Sequence, residues 1–230
     1  MLNLIAAASF FVLIHLLISG TPVRDAVIAR IGERPYLGGF VVASWMGIIW
    51  LGWAFATSRG DALNTVVWDM TPATHWAQLG IQLLATLFIV PGLTTRSPTL
   101  VRGEAALDDP DIVRGMLRVT RHPFLWGVAI WAAGHLLVNG DVASVVLFAA
   151  MLFLAVSGTT SIDAKRRRAL GAKWDAFAGR TSNVPFAAIV QGRQHLSLGE
   201  IGWWRIALAV AVWAIFLVAH PYLFGVPALP

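Results

Sequence analysis

Cysteine is absent from all 230 residues. That absence excludes disulfides, thiolate metal ligands, a cysteine nucleophile and covalent c-type haem attachment, so any metal must be held by histidine or oxygen. Charge is scarce too: Asp, Glu, Lys and Arg make up 13% of the chain against 57% hydrophobic residues, and 11 tryptophans are far more than a soluble domain needs. Composition therefore places most of the chain in lipid. No lysine or arginine precedes Arg24, so the opening apolar run lacks the positive n-region of a cleavable signal and reads as a retained first helix. The net charge of +5 raises nucleic acid as a partner. The charges, however, sit in connectors between apolar runs and form no aromatic-studded soluble patch, so no nucleic acid is expected.

A spanning helix needs about 20 apolar residues. The sequence predicts an all-α, polytopic helical bundle with spans near Leu2 to Ile18, Gly39 to Ala56, Thr74 to Val90, Pro123 to Val138, Val142 to Ser157 and Trp203 to Ala219. They form one domain over residues 1–230, without repeats or low-complexity tracts. Arginine and lysine crowd the first, third and fifth connectors, while the alternate connectors hold only Arg59 and the C-terminal tail none. By the positive-inside rule the rich connectors are cytoplasmic and both termini lie outside the cytoplasmic membrane. Trp203, Trp204 and Arg205 suit an interfacial anchor.

In the third connector, Asp108-Asp109-Pro110-Asp111 reads as a helix start, an acidic cap followed by proline at the first helical position. On such a helix Arg114, Arg118 and Arg121, spaced four and three apart, share a face. That face meets either lipid headgroups or an anionic cofactor or substrate. In the fifth connector Leu170, Trp174 and Phe177 make an apolar stripe, expected to lie on the membrane surface.

Ionisable side chains inside spans are costly and mark function by default. Of six histidines, His75 and His220 fall near outer helix ends and His195 in a connector, where water satisfies them. His15 and His135 lie within apolar spans and need a partner. His122 and His135 cannot share a ligand, because thirteen residues of helix separate them by about 20 Å of rise. A two-histidine site therefore joins His15 to His135, offset in depth by about 10 Å. A haem suits that pair better than a compact tetrahedral zinc. The alternative is that each imidazole hydrogen-bonds across helices. Gly127 and Gly134, seven apart, make a stripe open to a helix or a flat ligand.

The segment Arg121-His122-Pro123-Phe124-Leu125-Trp126-Gly127, then Gly134-His135 and Asn139-Gly140-Asp141, resembles the NnrU family of bacterial membrane proteins. So does the opening, with His15, Arg24, Gly32-Glu33-Arg34-Pro35-Tyr36 and Ser44. The family takes its name from nitrite and nitric oxide reduction gene clusters, and it is similar to plant zeta-carotene isomerases. The resemblance implies haem b, axially ligated by His15 and His135, in a redox-dependent cis to trans isomerisation of a polyene. Ala132 stands where the plant proteins carry a functional cysteine, so ligand exchange through a thiol is excluded.

A second resemblance competes. Arg121-His122-Pro123 with Gly127, then Asp163, Leu170, Gly171, Trp174, Phe177 and Val184-Pro185, is similar to membrane methyltransferases of the isoprenylcysteine type. It implies S-adenosylmethionine bound near His122, but Ala164 follows Asp163 where a second acid is expected. The leading expectation is a haem b protein in which Arg114, Arg118 and Arg121 receive the propionates. His122 stands at the cytoplasmic mouth as the catalytic candidate, and a hydrophobic substrate enters from membrane lipid. A non-catalytic electron-transfer or assembly partner of denitrification enzymes is the third reading.

Overall fold

The computed structural model describes residues 1–229. Helix α1 (Leu2–Leu13) runs into a π-helical turn (Ile14–Ile18), and α2 (Pro22–Ile31) then leaves at 79° to it. Thr21 caps α2 through the Val23 N–H, with Pro22 at the first helical position. Next come α3 (Glu33–Ser58), β1 (Val66–Trp68), α4 (Pro72–Thr94), a 3-10 turn (Glu104–Asp108) and α5 (Met116–Val119). They are followed by α6 (Pro123–Val138), β2 (Gly140–Asp141) and α7 (Val142–Leu170). The chain closes with α8 (Ala172–Arg180), α9 (Ala187–Val190), α10 (Leu198–Ile201) and α11 (Trp203–Phe224). The fold is all-α, as composition requires.

Four helices, α3, α4, α7 and α11, are long and apolar enough to cross a bilayer, and the bent α1 to α2 pair makes a fifth. The expected fourth span is α6, whose 16 residues rise only about 24 Å. At that length it falls short of a span by itself, so four or five candidate crossings stand where six were expected; α4 packs along one side of it and α7 along another. Much of α3 and α11 is bare instead, with Trp45, Ile49, Trp53, Ile215 and Val218 each at least 60% exposed. In lipid such apolar surface is at home.

The two ends of the bundle differ. At one end β1 pairs antiparallel with β2, Asn64 Oδ1 accepts the Ala143 N–H at 2.8 Å, and Arg59 reaches the Phe224 carbonyl. The arginine-rich connectors all gather at the other. Between α1, α3 and α7, Leu4, Ala7, Phe11, Leu51, Ala54 and Ala143 form a core free of polar groups.

Two local expectations are corrected. No helix starts at Pro110, because Asp109 Oδ1 accepts the Asp111 N–H at 2.9 Å in a local turn. Gly115 then breaks the chain at φ +57, so Arg114, Arg118 and Arg121 share no helical face. A side chain at Gly115 would also strike the Glu200 carbonyl at 2.8 Å. The stripe of Trp174 and Phe177 faces protein, not the membrane surface. It is buried against Ala106, Ile112, Val113 and Leu117.

Candidate functional site

His15 lies in the π turn, a distortion that often marks functional positions. Its Nδ1 is 2.7 Å from the Phe11 carbonyl, and the rings of Phe11 and Phe40 flank it at 4.5 and 5.2 Å. His135 repeats the arrangement near the opposite end. Its Nδ1 is 2.9 Å from the Trp131 carbonyl, and the Gln82 amide nitrogen, 3.3 Å from Nδ1, donates to that same carbonyl. Its ring stacks on Phe148 at 4.7 Å. A carbonyl only accepts, so Nδ1 carries the proton in both rings. Nε2 of each then keeps a lone pair with no hydrogen-bond partner among the described residues. Metal-ligating histidines are held the same way, one ring N–H on a backbone carbonyl and the other nitrogen free.

The two rings sit at different depths. Gly20, five residues past His15, abuts Ser161 of α7 and accepts from Arg168 at 3.4 Å, whereas His135 stacks on Phe148. Helical rise makes this offset on the order of 10 Å. Side chains lean toward the N-terminus of their own helix, and α1 and α6 run in opposite directions, which shortens the offset in depth; laterally, each of the two helices packs on α7. The two rings share no ring contact or hydrogen-bond partner. In donor chemistry the pair fits an iron porphyrin: two neutral imidazoles, each with one free nitrogen, in apolar surroundings.

At the arginine-rich end a second polar cluster is built around Asp163. His122 Nε2 lies 2.7 Å from its Oδ1, Arg121 donates through Nε and Nη2 at 2.9 and 2.5 Å, and Asn183 Nδ2 donates at 3.2 Å. His122 is 1% exposed and caps α6 from the position before Pro123. Burial pushes its imidazole down and the Asp163 carboxylate pulls it back up, with burial the larger effect. Nδ1 of His122 is buried without a partner.

The three arginines proposed for propionates are held by carboxylates of the chain itself. Arg121 serves Asp163, and Arg118 makes a bidentate pair with Glu200 at 2.7 and 2.9 Å. That pair and the Gly115 N–H hold the Glu200 carboxyl down to about 2. Arg114, 58% exposed, stands 3.5 Å from Asp109. None of the three is hydrogen-bonded to a residue flanking His15 or His135. His75 and His220 bond to the carbonyls of Ala228 and Val226, and His195 is exposed.

Between Gly127 and Gly134 and their neighbour there is no room for a flat ligand. A side chain on Gly127 would meet the Ile89 backbone nitrogen at 2.8 Å, and one on Gly134 would meet Ile81 at 2.6 Å, so α4 occupies the stripe. Nothing in the sequence marks the π turn, Gln82 or Asn183, whereas the second resemblance already groups Arg121 and His122 with Asp163. One signal was present: Asp163 is the sole acid in α7, and a lone carboxylate there asks for cations.

The NnrU protein family model matches residues 3–228. A 15-cis-zeta-carotene isomerase, chloroplastic, of Arabidopsis thaliana is 37% identical over 151 residues, covering 62% of this chain and 38% of that protein. The corresponding protein of Zea mays is 34% identical over 95 residues, covering 40% of this chain and 26% of that protein. These matches span well under half the length of those curated relatives. No solved structure matches. With the family match running from the first turn of α1 to beyond α11, and the two in-span histidines and the arginine-histidine-proline turn inside it, the chain belongs to the NnrU family.

Proposed function

We propose that this chain binds haem b through His15 and His135 and isomerises a hydrophobic polyene of the zeta-carotene type. We place it in a bacterial cytoplasmic membrane, with its termini on the outer side. The family and the named activity of the plant relatives support the reading. The observation that carries it is the common state of the two imidazoles, each with Nδ1 bonded to the carbonyl four residues back and Nε2 free. His15 and His135 would hold the haem, which would supply a redox-active iron able to draw electron density from a double bond.

The chain's own part is to hold the rings and keep the site dry. Phe11 and Phe40 wall His15, and Trp131 and Phe148 wall His135, which suits an apolar substrate arriving from lipid. Gln82 donates to the Trp131 carbonyl at 3.2 Å and so braces the acceptor that fixes His135. His122, locked to Asp163, is a positioning residue that anchors the start of α6 and thereby the depth at which His135 is presented.

Expression with haem supplied, purification in detergent and a visible spectrum test the reading. A Soret band is expected that is lost in both His15→Ala and His135→Ala but kept in His220→Ala. Its absence, or its persistence in both variants, ends the haem assignment. Incubation of the loaded protein with 15-cis-zeta-carotene under reducing and oxidising conditions then tests turnover by product chromatography.

A further inference from the structure

The corner between the π turn and α2 carries a cluster that the histidine site does not use. Gly20 abuts Ser161 of α7, and Arg168 donates to its carbonyl. Ser161, Lys165 and Arg168 are spaced four and three apart, so they share the face of α7 that meets this corner. Arg24, in the first turn of α2, follows Gly20 by four residues and so stands at the same corner as Ser161 and Arg168. Lys165 is half-buried and makes no hydrogen bond or ion pair among the described residues. The nearest acids, Asp25 and Glu33, are largely exposed and both engage Arg24, at 3.1 and 3.5 Å. Three cations thus converge with too little negative charge to balance them.

Beside them is an apolar slot of about 220 Å³, lined by Ile14, Ile18, Ile31, Tyr36 and Phe40 among others. The guanidinium of Arg24 lies 5.7 Å over the Tyr36 ring, which joins the slot to the cations. Tyr36 is 6% exposed, and its hydroxyl is buried with no partner. A buried, unpaired hydroxyl is costly and calls for an acceptor. The structure therefore presents cations, a spare hydroxyl donor and an apolar slot in one place. If α1 crosses the bilayer, α2 at 79° to it runs along the surface, at the level of lipid headgroups.

We propose that Arg24, Lys165, Arg168 and Tyr36 bind the phosphate of one anionic phospholipid, with part of an acyl chain in the slot between α1, α2 and α3. Charge complementarity and the adjoining apolar slot select this occupant. A zwitterionic lipid brings its own cation to a corner where three cations already outnumber two carboxylates, and a free phosphate leaves the slot unused. The slot adjoins His15, since Phe40 lines it and also flanks that ring, but the cations and the Tyr36 hydroxyl are not part of the histidine pair, and the lipid reading does not require haem.

Native mass spectrometry of the full chain released from detergent, titrated with phosphatidylglycerol or phosphatidylcholine, reads the site directly. One phosphatidylglycerol is expected to be retained in preference to phosphatidylcholine. The double variant Lys165→Ala/Arg168→Ala should weaken it by about thirtyfold, the usual attraction of two cations to an anionic leaflet. Tyr36→Phe should weaken it with helical content by circular dichroism unchanged. Arg114→Ala/Lys173→Ala, removing two cations elsewhere on the basic end, should leave retention as it was. Equal retention of the two lipids overturns the proposal, as does a double variant indistinguishable from the parent. Full competition by millimolar inorganic phosphate reassigns the site to a free anion and overturns the lipid. A double variant that loses the Soret band while keeping phosphatidylglycerol assigns the cations to cofactor carboxylates instead, and likewise overturns it.

Discussion

At the scale of single residues, Asp163 decides the most. One carboxylate, 14% exposed, accepts from Arg121, His122 and Asn183. Each of those partners belongs to a different segment from α7, so the carboxylate ties three stretches of chain to one point. Removing it leaves the Arg121 charge, 12% exposed, without a counterion. Asp163→Ala is expected to cost about 3 kcal/mol, the usual consequence of orphaning a buried charge. Lys173→Ala, which breaks a pair 69% and 68% exposed, should change stability by under about 1 kcal/mol. Denaturant midpoints in detergent micelles compare the two, and equal shifts would show that the Asp163 junction holds nothing together.

At the scale of elements, the contact between α4 and α6 is the most extensive in the bundle. It exists because Gly127 and Gly134 have no side chains, which lets the backbone of α4 approach. Gly127→Leu would drive a side chain into the Ile89 backbone and the Ala85 carbonyl, where nothing can rotate away. Overpacking of that kind costs about 1 to 3 kcal/mol, and the yield of monodisperse protein on gel filtration should fall. Gly158→Ala meets only the end of Leu125 at 3.4 Å and should behave as the parent does. A Gly127→Leu variant with normal yield would mean that the two helices can separate without loss.

At the scale of the whole molecule, the sidedness of the ends can be checked because the chain has no cysteine of its own. Leu63 and Val190 are 65% and 86% exposed at opposite ends of the bundle. In intact cells, Leu63→Cys should react with a membrane-impermeant maleimide and Val190→Cys should not, while both react after lysis. Labelling of both from outside would overturn the arrangement. The helical class and the segments that become α1, α3, α4, α6, α7 and α11 were legible in the sequence, because lipid-facing helices announce themselves by apolar length alone. The two in-span histidines were legible for the same reason, as costly exceptions in apolar runs.

What the sequence withheld depends on distant partners. Trp174 and Phe177 looked like a membrane-facing stripe, since period says only that a face is apolar and not what covers it. Arg118 and Arg121 looked free for a ligand because Glu200 and Asp163 lie 82 and 42 residues away. The Gly127 and Gly134 stripe was open in sequence to either a helix or a ligand, and only the position of α4 closed that choice.

The closure of α4 onto α6 also leaves His135 covered on one side. Gln82 blocks His135 from the α4 side, and Phe148 stands at its other flank. Reaching that imidazole from the α7 side means swinging the Phe148 ring off its face, so the aromatic ring that walls the histidine also limits its exposure.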